Sequence, residues 1–429
     1  MAVRAPMMQR LTRILGHPTS APTRPRCLHT LRKRPQPLQS RIPCTHQRAA
    51  SSFTTNAQRL FRQHPFQITL ATAAILLGAG SLVYANYVYQ NYIIKAFHKF
   101  PEPVAKKLRR ALYFTNQDLQ PQEAIKYYKQ ALQIAEEIGM DPFSDEIMGV
   151  KIQVAALMEK VQQEGKAAYV LEILRNDSLE WLRRFGDLPH NKVKRTRVLV
   201  KCVQISVKLG GLYGGGEIFD REAAEERLVW AVETVLKETQ RRNSLNIPLD
   251  SEEEGPWLAN NEIGAAMETL AHSYEDKDQH YLATPLFLQA LSLYPSKDCH
   301  TVILMNNLAS SLAQQSARAA RAAQTYATSQ NIDERPAGPT ISRDSLIANA
   351  QTWAHKALDV AAAIKPPERT EECDVGCAVA TQNLGEFAEM LGNVAVARER
   401  YQESVSLGRS IGFQEGVENS SERLRKLKG

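Results

Sequence analysis

Hydrophobic residues are distributed along this chain in two different ways. From 66 to 89 (FQITLATAAILLGAGSLVYANYVY) no residue is charged, and these 24 residues form a helix about 36 Å long at 1.5 Å per residue, enough to cross a hydrocarbon layer of about 30 Å with some tilt. Tyr84, Tyr87, Tyr89 and Tyr92 gather at its far end and Lys95 and Lys99 follow, the order in which aromatic and basic side chains settle at a membrane interface. Ala74, Gly78, Gly80 and Ser81 leave a smooth strip on which another transmembrane helix could rest. Beyond Glu102 apolar positions recur three and four residues apart, with many Ala, and no run alternates with period two. The pattern predicts an all-α body over 102–429 behind a single transmembrane helix at 66–89.

The body repeats itself. Over 264–297 the chain reads GAAMETLAHSYEDKDQHYLATPLFLQALSLYPSK, and Leu270, Ala271, Tyr274, Ala283, Phe287, Ala290 and Pro295 stand at the marker positions of the 34-residue tetratricopeptide (TPR) helix-turn-helix. The small Ala positions let two antiparallel helices approach, while Tyr274 and Phe287 fill the space between them. The same spacing returns in Leu384, Gly385, Ala388, Gly392, Ala397, Tyr401 and Ser404. It returns again in Leu209, Gly210, Tyr213, Ala224, Leu228 and Ala231, with a connection lengthened around Gly214, Gly215 and Gly216. Ala124, Tyr128 and Ala131 mark a second helix near the start of the body. A copy opening at Leu308 and Ala309 finds its second helix late, at Ala350, Ala354 and Ala357, which makes 316–345 an insertion; 145–180 fits one more copy poorly. Five or six helix pairs in a right-handed superhelix are expected, with the first helices lining a concave groove. Loops are expected near Asp141, at 243–255 and at 365–373, and disorder at 331–340.

Charge divides the chain at the same place. Fourteen of the 53 basic residues and none of the 46 acidic ones fall in the first hundred positions, so the overall +7 belongs to the leader and the body is net acidic by about 7. Eleven Arg and one Lys among Ser, Thr and Pro, with no acid before Glu102, have the composition of a mitochondrial transit peptide, assigned to 1–55. An acidic body argues against a nucleic-acid partner. Basic residues flank both ends of the apolar run, so charge does not orient it. Import logic does: an N-terminus drawn into the matrix and halted by the run leaves the body in the intermembrane space.

A search for chemistry returns little. The GLYGGGE run at 211–217 lacks the Lys-Ser/Thr of a phosphate loop and follows no strand, His272, His280 and His300 have no HExxH spacing, and no nucleophile-base arrangement is present. No catalytic residue, cofactor site or metal site is assigned. Cys27 and Cys44 leave with the leader, and Cys373 and Cys377, one helical turn apart, are read as free thiols rather than a bridge. Asn307 and Asn383 hold the same repeat position on successive first helices and are the candidate peptide-groove residues, with interhelix hydrogen bonding as the competing role. The positions where a TPR carboxylate clamp needs Lys read Glu268 and Val379, which disfavours chaperone tails as ligands.

Within EAIKYYKQALQIAEEIGMDPFSDEIMGVKIQVAALMEK, residues Tyr127, Tyr128, Ala131, Leu132, Glu136, Met140, Asp141, Pro142, Ser144, Glu146 and Gly149 resemble the fungal TPR adaptor subunit of the mitochondrial inner-membrane i-AAA protease. The resemblance implies a non-catalytic body in the intermembrane space that presents unfolded membrane-protein clients to the protease, with the protease subunits as partners. The alternatives are a TPR assembly factor for respiratory complex III and an enzyme whose site is hidden. An outer-membrane import receptor fits neither the leader nor the missing clamp.

Overall fold

A computed structural model of the chain describes residues 65–95, 97–295, 298–322 and 341–427. The transit-peptide assignment, Cys27, Cys44 and most of the 316–345 insertion, including the stretch expected to be disordered, lie outside these residues. Among the described residues every regular element is helical, and they form two units, 1–146 and 147–429.

In the first unit, α1 (Pro65–Val88) continues into a widened π-helical turn at Tyr89–Ile94. Its described side chains are exposed almost throughout, Leu76 at 71% and Leu77 at 76%, so no other described residue covers them. The helix is long and apolar enough to cross a membrane. Two amphipathic helices follow, α2 (Glu102–Asn116) and α3 (Pro121–Ile138), each opened by Pro in its first turn, where a missing N–H costs nothing. Val104, Ala105, Leu108 and Ala111 face Ala124, Tyr128, Ala131 and Ala135, all buried, so the second-helix signature read around Tyr128 holds. Gly139 ends α3 at φ 82°, a left-handed cap that suits Gly.

The second unit contains α4 (Asp145–Lys160), α5 (Glu164–Phe185), α6 (Lys192–Gly214), α7 (Arg221–Ser244), α8 (Asn260–Glu275), α9 (His280–Leu293), α10 (Cys299–Gln314), α11 (Arg343–Ala363), α12 (Glu371–Met390), α13 (Val394–Ile411) and α14 (Gln414–Lys426). Pairs α6/α7, α8/α9, α10/α11 and α12/α13 pack as hairpins, each second helix leans on the next first helix, and α14 closes the series on α13. This is a TPR-like helical repeat. Leu270, Ala271, Ala283, Phe287 and Ala290 are all buried, Tyr274 packs at their edge, and Pro295 follows the end of α9. The split copy is real: Leu308 and Ala309 on α10 and Ala350, Ala354 and Ala357 on α11 are at 0% exposure although the helices are far apart in sequence. The 145–180 stretch, a poor match to the repeat, also forms two helices.

The connection after α6 is lengthened where expected: α6 runs through Gly211 to Gly214, Gly215 caps it, and α7 begins only at Arg221. One expectation needs correction. Cys373 is not a free thiol: it is disulfide-bonded to Cys299 across 74 residues, joining the starts of α10 and α12, while its helical neighbour Cys377 stays free. The C-x3-C spacing drew attention to the wrong partner, since first helices of successive repeats meet side by side and bring distant residues together.

The 243–255 connection is pinned at both ends. Buried Arg242 donates to the carbonyls of Pro248 (3.0 Å) and Gly255 (2.9 Å) and pairs with Glu238 at 3.2 Å. Arg241 engages Glu254. A loop with satisfied backbone groups can remain ordered over this length.

Candidate functional site

First helices α6, α8, α10 and α12 carry the positions that the repeat register assigns to the groove. The repeat register places Gly211, Gly214 and Gly215 where α8 carries His272, Glu275 and Asp276. Three glycines therefore stand where side chains would otherwise fill the face. A Cβ built on Gly211 or Gly214 meets nothing within 4 Å. The result is a cleft of about 250 Å³ between α6, α7 and α8. Glycines form one wall, and Arg221, Thr269, His272, Ser273 and Asp276 form the polar remainder. Gly210, one residue earlier, is packed rather than open. A Cβ there would lie 2.4 Å from Leu228 Cγ, so only Gly lets α6 and α7 approach.

Beyond the cleft the groove floor is a charged network centred on Glu268. His300 bridges two carboxylates, Nε2 to Glu268 at 2.9 Å and Nδ1 to Glu372 at 2.7 Å, which links α8, α10 and α12. His272 meets Glu275 at 3.0 Å and Glu268 at 3.7 Å. Burial alone would raise the Glu268 pKa, but hydrogen bonds from His272 and His300 outweigh it and hold the carboxyl at about 2. Burial opposes charge on His272 too, and Glu268 and Glu275 overcome it, raising the ring to about 9. His300 is raised to about 9, first by its bond to Glu268 and against a desolvation penalty. Near neutral pH the floor thus carries two imidazolium ions among three carboxylates, one net negative charge.

The two predicted groove residues have different surroundings. Asn307 lies on the network, its Nδ2 3.4 Å from Glu268 Oε1 and 3.4 Å from His272 Nε2, and is partly exposed to the groove. Asn383 is buried at 7% and donates to the Asn306 carbonyl at 3.4 Å, tying α12 to α10. Its neighbour across the seam, Asn306, was not singled out by sequence, yet it is almost fully buried and donates to the Gly376 carbonyl at 2.8 Å. Glu268, read only as a missing clamp Lys, is the hub of the floor, and Val379, the other clamp position, is partly buried. Among the described residues no cluster of His, Cys, Asp and Glu is arranged to hold a metal ion. Cys202 is buried and its thiol is pushed up to about 12 by desolvation, which makes it inert.

No protein-family profile matches the chain. It is similar to a TPR repeat-containing protein of Schizosaccharomyces pombe, 27% identical over 365 residues, covering 83% of this chain and 85% of that protein. It is also similar to the protein named MRG3-like of Saccharomyces cerevisiae, 33% identical over 117 residues, covering 27% of this chain and 25% of that one. Among solved structures it aligns with BtubC from P. vanneervenii (14% identity, 70% of this chain and 93% of that one, TM-score 0.42). It also aligns with the TPR2AB domain of yeast Sti1 in its pHSP90 complex (14% identity, 74% and 98%, TM-score 0.21).

Proposed function

We propose that this chain is a non-catalytic adaptor of the mitochondrial inner membrane, anchored by α1, with its helical-repeat body in the intermembrane space. It receives unfolded segments of membrane proteins on behalf of an i-AAA-type protease. The observation that carries the reading is the open cleft on the α6–α8 face, where glycines admit a chain and hydroxyl, carboxylate and guanidinium groups stand ready for its amides. A helical scaffold in which the described residues assemble no nucleophile-base pair suits holding better than turnover. The Cys299–Cys373 bridge supports a compartment that tolerates disulfides, unlike the reducing matrix. The distant likeness to fungal TPR proteins supports the class of protein, and the leader composition supports the organelle.

Titration of the full-length protein in detergent into fluorescein-labelled, reduced and carboxymethylated α-lactalbumin should raise its anisotropy saturably, while the native, folded protein should not bind. Filling the cleft by Gly211→Leu should weaken binding about tenfold, a loss of about 1.4 kcal/mol. Unaltered binding by that variant would remove the cleft from the account. Affinity purification from digitonin-solubilised mitochondria tests the partner separately. Recovery of i-AAA subunits is expected, and recovery of complex III subunits in their place would move the protein to respiratory-chain assembly.

A further inference from the structure

Away from the groove, the strongest charged feature is the stretch that follows the apolar helix. Lys95, Lys99, Lys106, Lys107, Arg109 and Arg110 crowd into it; Arg109 takes up Glu102, the one acid within the stretch, and Lys99 pairs with Glu146 at 3.7 Å. On α2 the apolar edge is buried against α3, while Lys106, Arg110 and Tyr113 line the opposite edge, exposed at three- and four-residue spacing, Tyr113 at 53%. Lys107 donates to Gln130 Oε1 at 2.9 Å and Arg110 to the Tyr127 hydroxyl at 3.4 Å. Both cations lie over the Tyr127 ring, at 6.0 and 5.7 Å, and that ring is stacked on Phe114 at 5.7 Å. Neutral groups hold these cations in place, so their charge is not cancelled and remains available to an outside anion.

Chain length limits where this face can go. Seven residues lie between Ile94, the end of the apolar helix and its π-helical turn, and Glu102, a reach of no more than about 28 Å over eight Cα–Cα steps. A bilayer surface within that tether is present at a high effective concentration, which an acidic protein in solution would have to match by affinity.

We propose that the Lys106, Lys107, Arg110 and Tyr113 face of α2 docks on anionic lipid headgroups of the bilayer that α1 crosses, fixing the first helix pair against the membrane. The proposal rests on the membrane-anchor part of the reading above and is independent of client binding. Basic side chains near an anionic leaflet gain from its surface potential, and an exposed Tyr settles at headgroup depth.

The test uses the full chain carrying Tyr113→Trp, reconstituted into vesicles containing brominated phosphatidylcholine. Quenching is read as the difference from the wild-type chain. Quenching should be strong with about 30% anionic phosphatidylglycerol and weak in phosphatidylcholine alone, and each neutralised cation should lower the docked-to-undocked ratio about fivefold. Lys106→Gln, Lys107→Gln and Arg110→Gln together should therefore abolish it. Should that triple variant melt early, the exposed Lys106→Gln alone decides by its fivefold loss. Equal quenching in the two lipids, or quenching that survives neutralisation, overturns the proposal. So does a response of the introduced indole to polyglutamate and not to lipid, which would assign the face to an acidic polypeptide. Alkaline carbonate extraction keeps the anchor separate: release of the chain refutes the span, and quenching by added anionic vesicles still decides the face.

Discussion

The seams between first helices α6/α8 and α10/α12 have opposite fates. Between α10 and α12 the first helices touch. A Cβ on Gly376 would fall 2.8 Å from Val302 Cγ1, the Cys299 and Cys373 Cα atoms are 4.7 Å apart, and Asn306 and Asn383 are spent on backbone carbonyls across the seam. Between α6 and α8 the seam stays open towards the end of α6, where a Cβ on Gly211 or Gly214 would meet nothing within 4 Å. Repeat register alone therefore does not make a residue a ligand contact. The distance between neighbouring first helices decides whether a polar side chain is glue or bait, and the long insertion after α10 has not prevented its repeat from closing on the next.

The harshest way to break the closed seam is to cut its covalent link. Closing a loop of 74 residues withdraws entropy from the unfolded chain worth about 4 kcal/mol in the loop-closure account, so Cys299→Ser or Cys373→Ser should lower the melting temperature sharply. Reductant should do the same to the wild type and nothing further to either variant. Cys377→Ser should melt as wild type, and if it proved as damaging as Cys373→Ser the pairing would be misassigned.

The same substitution placed in both faces sharpens the contrast. Gly376→Leu must displace Val302 and Ile303 and should cost about 1 to 3 kcal/mol by overpacking. Gly211→Leu enters open space on an exposed helix and should instead gain up to about 1 kcal/mol, since Gly is a poor helix former. Calorimetric melting of the pair should show shifts of opposite sign. Equal destabilisation would mean that the cleft is closed in solution.

The repeat markers were legible in the sequence because they are short-range. Ala271, Ala283, Phe287 and Ala290 sit within one hairpin, where spacing fixes contact, and all four are buried as expected. The late second helix at Ala350 was legible for the same reason, since its pattern survived the insertion. What spacing could not supply was contact between repeats. Cys299 finds Cys373, Asn383 finds Asn306, and His300 finds both Glu268 and Glu372. Each of these joins different helices, at separations that the stacking of repeats sets and no local pattern encodes. The glycine run ends α6 at Gly214, with Gly215 as the cap, as Gly commonly does. Laying its residues against His272 and Glu275 in the next repeat was the signal that could have identified a cleft.

The histidine network lies between the two faces and gives the smallest but most specific effect, a dependence on pH. Glu268 is held at about 2, below the ordinary 4.5, so its contribution to stability is in place above pH 4.5 and is lost as pH falls through about 2. His272 and His300 are raised from 6.5 to about 9, so theirs is in place below pH 6.5 and is lost as pH rises through about 9. The network should therefore stabilise most between those bounds and loosen through the mildly alkaline range. His272 is half exposed, which screens its share, while His300 is less exposed and bridges α8, α10 and α12, so it should carry the larger part. Melting temperature measured between about pH 6 and pH 9.5 should fall in the wild type and fall less in His300→Gln, with His272→Gln intermediate. Asn307→Ala should leave the slope in place, because an uncharged carboxamide at 3.4 Å does not titrate. A slope that persists in the double His variant would show that other groups loosen the fold at alkaline pH, and the floor would then be a fixed polar surface.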